Sequence, residues 1–406
     1  MSSIFFPAQP IDGGITAPDG FLASAVASGL KPSGLDLALI LSEEIASAAG
    51  IFTTNLTVAP PVVISKRQLQ DSRGHAKVIV VNSKCANACT GEVGMTAARE
   101  TIATAARTVG CDPKHVLVAS TGVIGMHLDS KKMSRGSQSA AQQFSRSAHS
   151  AAAEAIMTTD RYPKEAAIQV KTDAGNFKIG GMVKGAGMID PLMATMLGFL
   201  TTDAIVDPVV LRRALTEVAA DTFNAITVDG ESSTNDTVFM LANGVSKVRI
   251  DETTYPSFVN ALHTLCEGLA KDIIRGGEGA TKLISIQVTG AETATDAKHT
   301  ARLIANSPLV KTALHGADPN WGRLIAVAGR AGVAFEPKHA SVRIGPVLLF
   351  SDATIFAERE AEAVNYLHRP ELEISVDLGT GGHGQAVVWT CDLSEEYIHI
   401  NADYRT

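Results

Sequence analysis

The chain has 406 residues, of which 45% are hydrophobic, 19% charged and 5% aromatic, and its formal net charge is -7. This length predicts two or three linked units, and this balance predicts a soluble, tightly packed α/β protein. Because lysine and arginine are dispersed along the chain, the sequence offers no basic face for nucleic acid.

Cysteine usage and the lack of long apolar runs indicate the compartment. The five cysteines are scattered, namely Cys85, Cys89, Cys111, Cys266 and Cys391. They form no disulfide framework, which fits a reducing compartment, and no second ligand pair accompanies Cys85 and Cys89, so no metal is expected. No signal peptide is recognisable, and no apolar run approaches the ~20 residues that cross a bilayer. We therefore expect a cytoplasmic protein that makes no membrane contact.

The first half of the chain predicts alternating strands and helices. The expected strands are 36–41, 59–65, 77–82 and 115–119, the expected helices are 93–109 and 137–157, and the expected hairpin joins 166–171 to 176–180. The stretch Ser120-Thr-Gly-Val-Ile-Gly125 follows a strand, and its backbone N–H groups are suited to an oxyanion or a phosphate. Many strand-to-helix connections without function have the same composition, so this stretch alone leaves both interpretations open.

The second half restarts the pattern and suggests a domain boundary near residue 283. The expected helices are 208–222, 255–275 and 293–306, and the expected strands are 237–242, 284–288 and further strands through Trp389. The loop 227–236 is unusually polar, so we expect its side chains to face something specific. Glu278 lies among glycines, where it is either a solvated cap or a buried acid. Residues 318–323 predict a turn.

The midpoint of the chain, residues 184–203, contains the pair Ala194-Thr195 within an apolar run. A threonine there suits a strand and needs no special role. Its hydroxyl also lies close to the carbonyl carbon of the preceding residue. If that peptide bond were cut, Thr195 would carry a hydroxyl nucleophile and an amine base on one residue.

Several stretches together resemble the ornithine acetyltransferase (ArgJ, glutamate N-acetyltransferase) family over nearly the whole chain. The motifs are Gly13-Gly-Ile-Thr-Ala-Pro18, Ala48-Ala-Gly-Ile-Phe-Thr-Thr-Asn55, Ala86-Asn-Ala-Cys-Thr-Gly91, Ser120-Thr-Gly122, Ile156-Met-Thr-Thr-Asp160, Lys184-Gly-Ala-Gly-Met188, Met193-Ala-Thr-Met-Leu197, Ser233-Thr-Asn-Asp-Thr237, Asp318-Pro-Asn-Trp-Gly-Arg323, and the terminal Asn401 and Thr406. One motif of this kind is weak, but this series in order is specific.

The resemblance implies a chain that cuts itself between Ala194 and Thr195, giving an α-chain of residues 1–194 and a β-chain of residues 195–406. It implies that Thr195 is the nucleophile that carries the acetyl group and that Thr121 and Gly122 form the oxyanion hole. The positions that match the family's substrate-binding residues are Thr158, Lys184, Thr195, Glu278, Asn401 and Thr406. From charge alone, Lys184 suits a substrate carboxylate and Glu278 suits a substrate amine.

The resemblance also implies a fold, a reaction and an assembly. The implied fold is an αββα four-layer sandwich in residues 1–282, with a smaller α/β domain in residues 283–406 whose tail returns to the active site. The implied reaction moves acetyl from N-acetylornithine to glutamate in arginine biosynthesis through an acetyl-threonine, in an α2β2 heterotetramer. No cofactor is implied, and acetyl-CoA is a possible co-substrate on which the sequence does not decide.

One departure concerns the loop 82–87, where Lys84-Cys85 stands in place of an expected glycine and a small or amide residue. A glycine would permit backbone angles that Lys84 resists, so we expect the loop to run differently and, if it lines the site, to alter substrate preference.

Two other functions are compatible with the same residues. One is an N-terminal-nucleophile aminopeptidase or amidase of the same fold, in which water replaces glutamate as acceptor. The other is a binding or assembly protein that never cleaves.

Overall fold

A computed structural model describes residues 8–190 and 196–403, so Ala194, Thr195 and Thr406 lie outside the described residues. Its strands are β1 (Ala8–Ile11), β2 (Phe21–Val26), β3 (Leu37–Phe52), β4 (His75–Asn82), β5 (Val116–Ser120), β6 (Lys164–Thr172), β7 (Gly175–Lys184), β8 (Leu197–Thr202), β9 (Ile226–Thr227), β10 (Thr237–Ala242), β11 (Leu283–Ala291), β12 (Ser341–Ile344), β13 (Val347–Ser351), β14 (Thr354–Ile355), β15 (Glu371–Asp377) and β16 (Gly384–Cys391). Its helices are α1 (Pro60–Asp71), α2 (Gly91–Val109), α3 (Ser130–Ala140), α4 (His149–Ala155), α5 (Pro208–Asp221), α6 (Tyr255–Arg275), α7 (Ala294–Ala305), α8 (Pro308–His315), α9 (Trp321–Gly329), α10 (Glu360–Leu367) and α11 (Glu395–Asp403).

The larger sheet is organised around the long strand β3. Its order is β1-β6-β7-β8-β10-β3-β4-β5, with β2 also paired to β3. The first part of β3 pairs with β2 and β4, and the second part pairs with β10. The β3–β4 register shifts between Leu41 and Ala46, and an irregularity of this kind bends a strand. Two groups of strands therefore diverge from β3.

Side-chain alternation along these strands separates an inner core from two outer cores. The inner core joins both groups of strands through Ile40, Ile79, Leu117, Met182, Phe199 and Phe239. One outer core packs Leu39, Val80 and Val118 against α2 and α3, and the other packs Leu200, Val238 and Met240 against α5 and α6. The resulting order of layers is helix, sheet, sheet, helix. The predicted αββα fold is confirmed.

The smaller sheet has the order β14-β13-β12-β15-β11-β16-β9. Strand β15 alternates buried Leu372, Ile374 and Val376 with more exposed residues, as expected when one face packs on a core and the other faces water. The buried face packs against α7, α8, α9 and α10. All strands of this sheet follow residue 282 except β9, and the domain boundary near residue 283 stays a prediction.

Most predicted elements of the first half are present, but residues 59–65 form no strand. They begin α1, because Pro60 and Pro61 occupy its first turn, where the fixed φ of proline suits a helix and its missing N–H costs nothing. The β-branched run Val62-Val63-Ile64 imitates a strand in the sequence. The strand predicted at 36–41 is also only the first part of β3.

The single helix predicted over residues 137–157 is wrong. The chain leaves α3 at Ala140 and enters α4 only at His149, and between them Ser145 exchanges backbone hydrogen bonds with Ala23 of β2. Tertiary pairing here overrides the alanine-rich helical pattern. The prediction of a turn over 318–323 is also incomplete, because Asn320 caps α9 and the helix begins at Trp321. Helices α8, α9 and α10 were not predicted.

Phe239 tests the inner core. It is fully buried, and its ring meets Phe52 edge-on with centroids 5.8 Å apart. Phe239→Ala is expected to lower the free energy of unfolding by about 3–5 kcal/mol, because it leaves a cavity between the two groups of strands of the larger sheet. Val209→Ala is the control, since Val209 is 77% exposed and its loss should change stability by less than about 0.5 kcal/mol. Urea unfolding measures both, and equal effects would contradict the layered packing.

Candidate active site

A cleft lies where the loops of the larger sheet meet α11. Among its walls are Thr121, Gly122, Thr158, Lys184, Glu278 and Asn401. These are all of the predicted site residues that the structure describes. Met196, the residue after Thr195, also lines the cleft, and its carbonyl accepts a hydrogen bond from the Thr237 N–H at 3.1 Å. Residues far apart in sequence thus share one cavity, which is typical of a ligand site.

Thr121 and Gly122 form the turn that follows β5. The Thr121 N–H donates to the Asn82 carbonyl at 3.0 Å, and the Val123 N–H donates to the Lys84 carbonyl at 2.9 Å. Gly122 has a φ of 125°, and a Cβ added there would lie 2.1 Å from the Lys84 carbonyl carbon. Only glycine fits this close approach of two loops.

The sequence predicts that Lys84 resists the backbone angles of a glycine, but loop 82–87 adopts those angles. Lys84 itself has a φ of 77°, so a lysine occupies the left-handed region that favours glycine. The Asn82 side-chain amide donates to the Cys85 carbonyl at 2.9 Å, and the Cys85 thiol donates to the Met126 carbonyl at 3.2 Å. Burial raises the pKa of this thiol. Ala86 lines the cleft, whereas Lys84 and Cys85 are not among its walls.

Lys184 ends β7 with its ammonium buried beside the turn after β5. Its Nζ donates to Thr121 Oγ1 at 3.3 Å. Burial lowers the pKa of Lys184, while the negative charges of Asp160, Asp236 and Glu278 oppose that effect. This places a cation next to the proposed oxyanion turn.

Thr158 is held by Asp160, which lies behind the cleft. The Thr158 N–H donates to Asp160 Oδ2 at 3.0 Å. Burial acts to raise the pKa of Asp160, but Lys184, Lys164 and its hydrogen bonds outweigh burial and lower that pKa to about 2. Asp160 is therefore ionised throughout the neutral range.

Glu278 is a buried acid, which decides between the two interpretations of its glycine-rich loop. It is 4% exposed, and its backbone N–H donates to the Ala186 carbonyl at 2.8 Å. The Asn401 side chain donates to Glu278 Oε2 at 2.8 Å, so α11 reaches the cleft. A Cβ on Gly187 would lie 2.2 Å from the same oxygen. The glycine is what allows the carboxylate to pack against this backbone.

Three further residues of the site were not singled out from the sequence. Asn235 donates to the Ala86 and Ser120 carbonyls at 2.6 and 2.9 Å and ties two loops together. Asp229 accepts from the Met188 and Ile189 N–H groups at 2.7 and 2.8 Å, and from the Tyr397 hydroxyl at 3.1 Å. The polarity of loop 227–236 was a usable signal for Asn235 and Asp229. Nothing in the sequence pointed to Tyr397.

Residues 8–190 and 196–403 contain neither a cluster of metal-binding side chains nor a membrane-spanning helix. No group of three or more His, Cys, Asp or Glu side chains in these residues could hold a metal ion. In the same residues, no helix combines the length and apolar character that crossing a bilayer requires.

Comparison with known proteins gives full-length similarity. The ArgJ family model matches residues 22–406. The arginine biosynthesis bifunctional protein ArgJ of Dehalococcoides mccartyi (strain CBDB1) is 49% identical over 409 residues, covering 97% of this chain and 98% of that protein. The protein of the same name from Symbiobacterium thermophilum is 44% identical over 97% of this chain and 99% of its own length. A solved ornithine acetyltransferase from Mycobacterium tuberculosis, complexed with ornithine, is 35% identical over 46% of this chain and 100% of that chain, with a TM-score of 0.43.

Gly122 tests the geometry of the turn. Gly122→Ala is expected to destabilise the protein by at least about 2 kcal/mol, because the new Cβ collides with the Lys84 backbone and φ is strained. Gly268→Ala is the matched control: this exposed position within α6 has nothing within 4 Å of an added Cβ, and alanine there should stabilise by about 0.5–1 kcal/mol. Thermal unfolding separates the two, and a tolerated Gly122→Ala would show that the loops do not meet as described.

Proposed function

The chain belongs to the ArgJ family, and we propose that it is an acetyltransferase that moves acetyl from N-acetylornithine to glutamate in arginine biosynthesis. The observation that carries this proposal is the meeting of Thr121, Gly122, Thr158, Lys184, Glu278 and Asn401 in one cleft, with Met196 at its wall. These are the positions that match the family's oxyanion and substrate-binding residues. The full-length similarity to ArgJ proteins supports the same reaction.

The first step in the proposal is self-cleavage. Thr195 Oγ attacks the Ala194 carbonyl carbon, the C–N bond breaks, and the nitrogen takes a proton to become the α-amine of Thr195. Water then hydrolyses the ester, which frees the Ala194 carboxylate and restores the hydroxyl. Hydrogen bonds hold the backbone on both sides of the proposed cleavage site, which supports this step. Asp229 accepts from the Met188 and Ile189 N–H groups, and the Thr237 N–H donates to the Met196 carbonyl.

Turnover uses the same hydroxyl in two half-reactions. Thr195 Oγ attacks the acetyl carbonyl of N-acetylornithine, and ornithine leaves as its amine takes a proton. The amine of glutamate then attacks the acetyl-threonine ester and releases Oγ, in a ping-pong sequence. The α-amine of Thr195, with an ordinary pKa of about 7.7–8.0, serves as the base near neutrality. The Thr121 N–H already donates to the Asn82 carbonyl, so the Thr121 hydroxyl and the Gly122 N–H are the donors that stabilise the tetrahedral oxyanion.

In this proposal, charge matching orients the ends of the substrate in the cleft. The Lys184 ammonium binds the α-carboxylate, and the buried Glu278 carboxylate binds the substrate amine, with Asn401 orienting Glu278. Thr158 and Thr406 complete the substrate contacts in this proposal. A carboxylate and an ammonium that are removed from water interact strongly with oppositely charged groups, which favours amino-acid substrates over neutral amides.

The proposal extends to the organisation of the protein. The self-cleaved chains form an α2β2 heterotetramer in the cytoplasm, and residues 283–406 make the smaller domain whose tail returns to the site. The hydrogen bond between Asn401 on α11 and Glu278 supports that return.

Self-cleavage is tested on a denaturing gel. The purified protein should give two bands, residues 1–194 and 195–406. Thr195→Ala should stay as one chain and lose acetyl transfer, because the nucleophile is absent. Thr195→Ser should still cleave, more slowly, because the hydroxyl remains. A wild-type band of 406 residues that persists on incubation would identify a protein that binds without cleaving.

The acceptor is tested with labelled N-acetylornithine. Label should reach glutamate at least about tenfold faster than it reaches water, because the cleft binds the acceptor next to the acyl ester. Predominant release of acetate would identify a hydrolase of the same fold instead. Labelled acetyl-CoA with glutamate, in a parallel reaction, measures whether the second acetyl donor is used.

A further inference from the structure

A fully buried ion pair lies behind the cleft and has no part in the chemistry described above. Lys164 Nζ and Asp160 Oδ1 are 2.7 Å apart, and both side chains have 0% exposure. Neither residue is among the walls of the cleft. Burying two charges is costly unless their hydrogen bonds are satisfied, so the position of this pair calls for a function.

Asp160 connects two segments that carry proposed substrate-binding residues. Its Oδ2 accepts from the Thr158 N–H at 3.0 Å, and its Oδ1 accepts from the Gly185 N–H at 2.7 Å. Gly185 directly follows Lys184. One carboxylate therefore fixes the distance between the Thr158 loop and the end of β7.

Lys164 connects the pair to a third segment. A Cβ placed on Gly276 would lie 2.8 Å from Lys164 Cε, so the lysine stem packs directly on the first glycine of the loop that carries Glu278. The Lys164 ammonium also donates to the Tyr162 carbonyl at 3.4 Å. Displacing Lys164 would therefore disturb the loop that holds Glu278.

The charges that face Lys184 are of both signs. Asp160, Asp236 and Glu278 stabilise its ammonium, while Lys164 opposes it. Lys31 adds a second opposing cation. Its ammonium donates to the Leu35 and Met157 carbonyls and interacts with the negative charges of Glu154 and Asp36. Among the acids, Asp160 has the largest effect on Lys184.

We propose that Asp160 and Lys164 are a positioning pair, which aligns the Thr158, Lys184 and Glu278 segments and sets the range of pH over which Lys184 holds a substrate carboxylate. The pair acts through Lys184 and touches no substrate. This inference rests on the proposed function, in which the Lys184 ammonium binds the substrate α-carboxylate.

The test is the pH dependence of KM and kcat for N-acetylornithine in Asp160→Asn and Lys164→Met. Asp160→Asn removes the negative charge that favours the Lys184 ammonium, so the alkaline rise in KM should move to lower pH by at least about half a unit. Lys164→Met removes an opposing positive charge, so the same limb should move to higher pH by a similar amount. The alkaline limb of the pH profile of kcat should move less than that of KM, because the carboxylate is already bound in the ground state.

Asp203→Asn is the matched control. Asp203 is also a buried carboxylate that accepts two backbone N–H bonds, from Asp19 and Lys178, but it lies outside the walls of the cleft. Its replacement should lower stability and leave the limb of the wild type in place. A role confined to folding predicts the same unshifted limb for Asp160→Asn and Lys164→Met.

The outcomes separate this inference from the proposed function. Opposite shifts in the two variants support the positioning pair. A wild type that transfers acetyl together with variants whose limbs stay in place overturns the pair and leaves the function intact. If the wild type transfers no acetyl group, the proposed function is wrong, and the inference that rests on it is wrong as well. If only Lys164→Met folds, a shift of its limb to higher pH supports the inference and an unshifted limb overturns it. If neither variant folds, the pair is a structural element and the inference is wrong.

Discussion

The large sheet has to bury both of its faces, and this constraint accounts for the position of the cleft. Strand β3 belongs to both groups of strands, so its irregularity between Leu41 and Ala46 lets them pack on one inner core. The turn after β5 then meets the end of β7, as the contact between Lys184 Nζ and Thr121 Oγ1 records. The loops of the larger sheet carry the candidate site residues, and the sandwich supplies their rigid support.

The same burial sets the electrostatic character of the site. Water is largely excluded from Lys184 and Glu278, so each charge needs a compensating partner within the protein. Glu278 accepts a hydrogen bond from Asn401, and Lys184 donates to Thr121 Oγ1 beside the carboxylates of Asp160, Asp236 and Glu278. Glycines recur here for a steric reason, since Gly187 and Gly276 allow side chains to pack directly against the main chain. A charged site of this kind depends on small residues as much as on ionisable ones.

Local patterns predicted much of the fold, and the failures have identifiable causes. The β-branched run of β4, the glycine that ends α2 and the turn between β6 and β7 were recognised, because each is determined by neighbouring residues. The segment around Ser145 was mispredicted, because its structure depends on pairing with Ala23 more than a hundred residues away. For the site, family resemblance supplied the residues at the walls of the cleft. The supporting residue Tyr397 carries no local signal, since its importance lies in a contact with Asp229 that only the folded chain makes.

The strands interleave across the point where the chain is proposed to be cut. Strand β8 follows Thr195, whereas β7 precedes Thr195, and the two strands pair through Val183–Gly198 and Lys184–Leu197. On its other side β8 pairs with β10, and β10 pairs with β3, which also precedes Thr195. Two chains ending and starting at this point would share one continuous hydrogen-bonded sheet and one inner core. They could not separate without global unfolding, and reassembly from denatured chains would become a second-order process that depends on protein concentration. Under the proposed cleavage, the uncut precursor would keep both parts on one chain, so its folding would not depend on protein concentration, whereas the cut chains would regain the structure only by association.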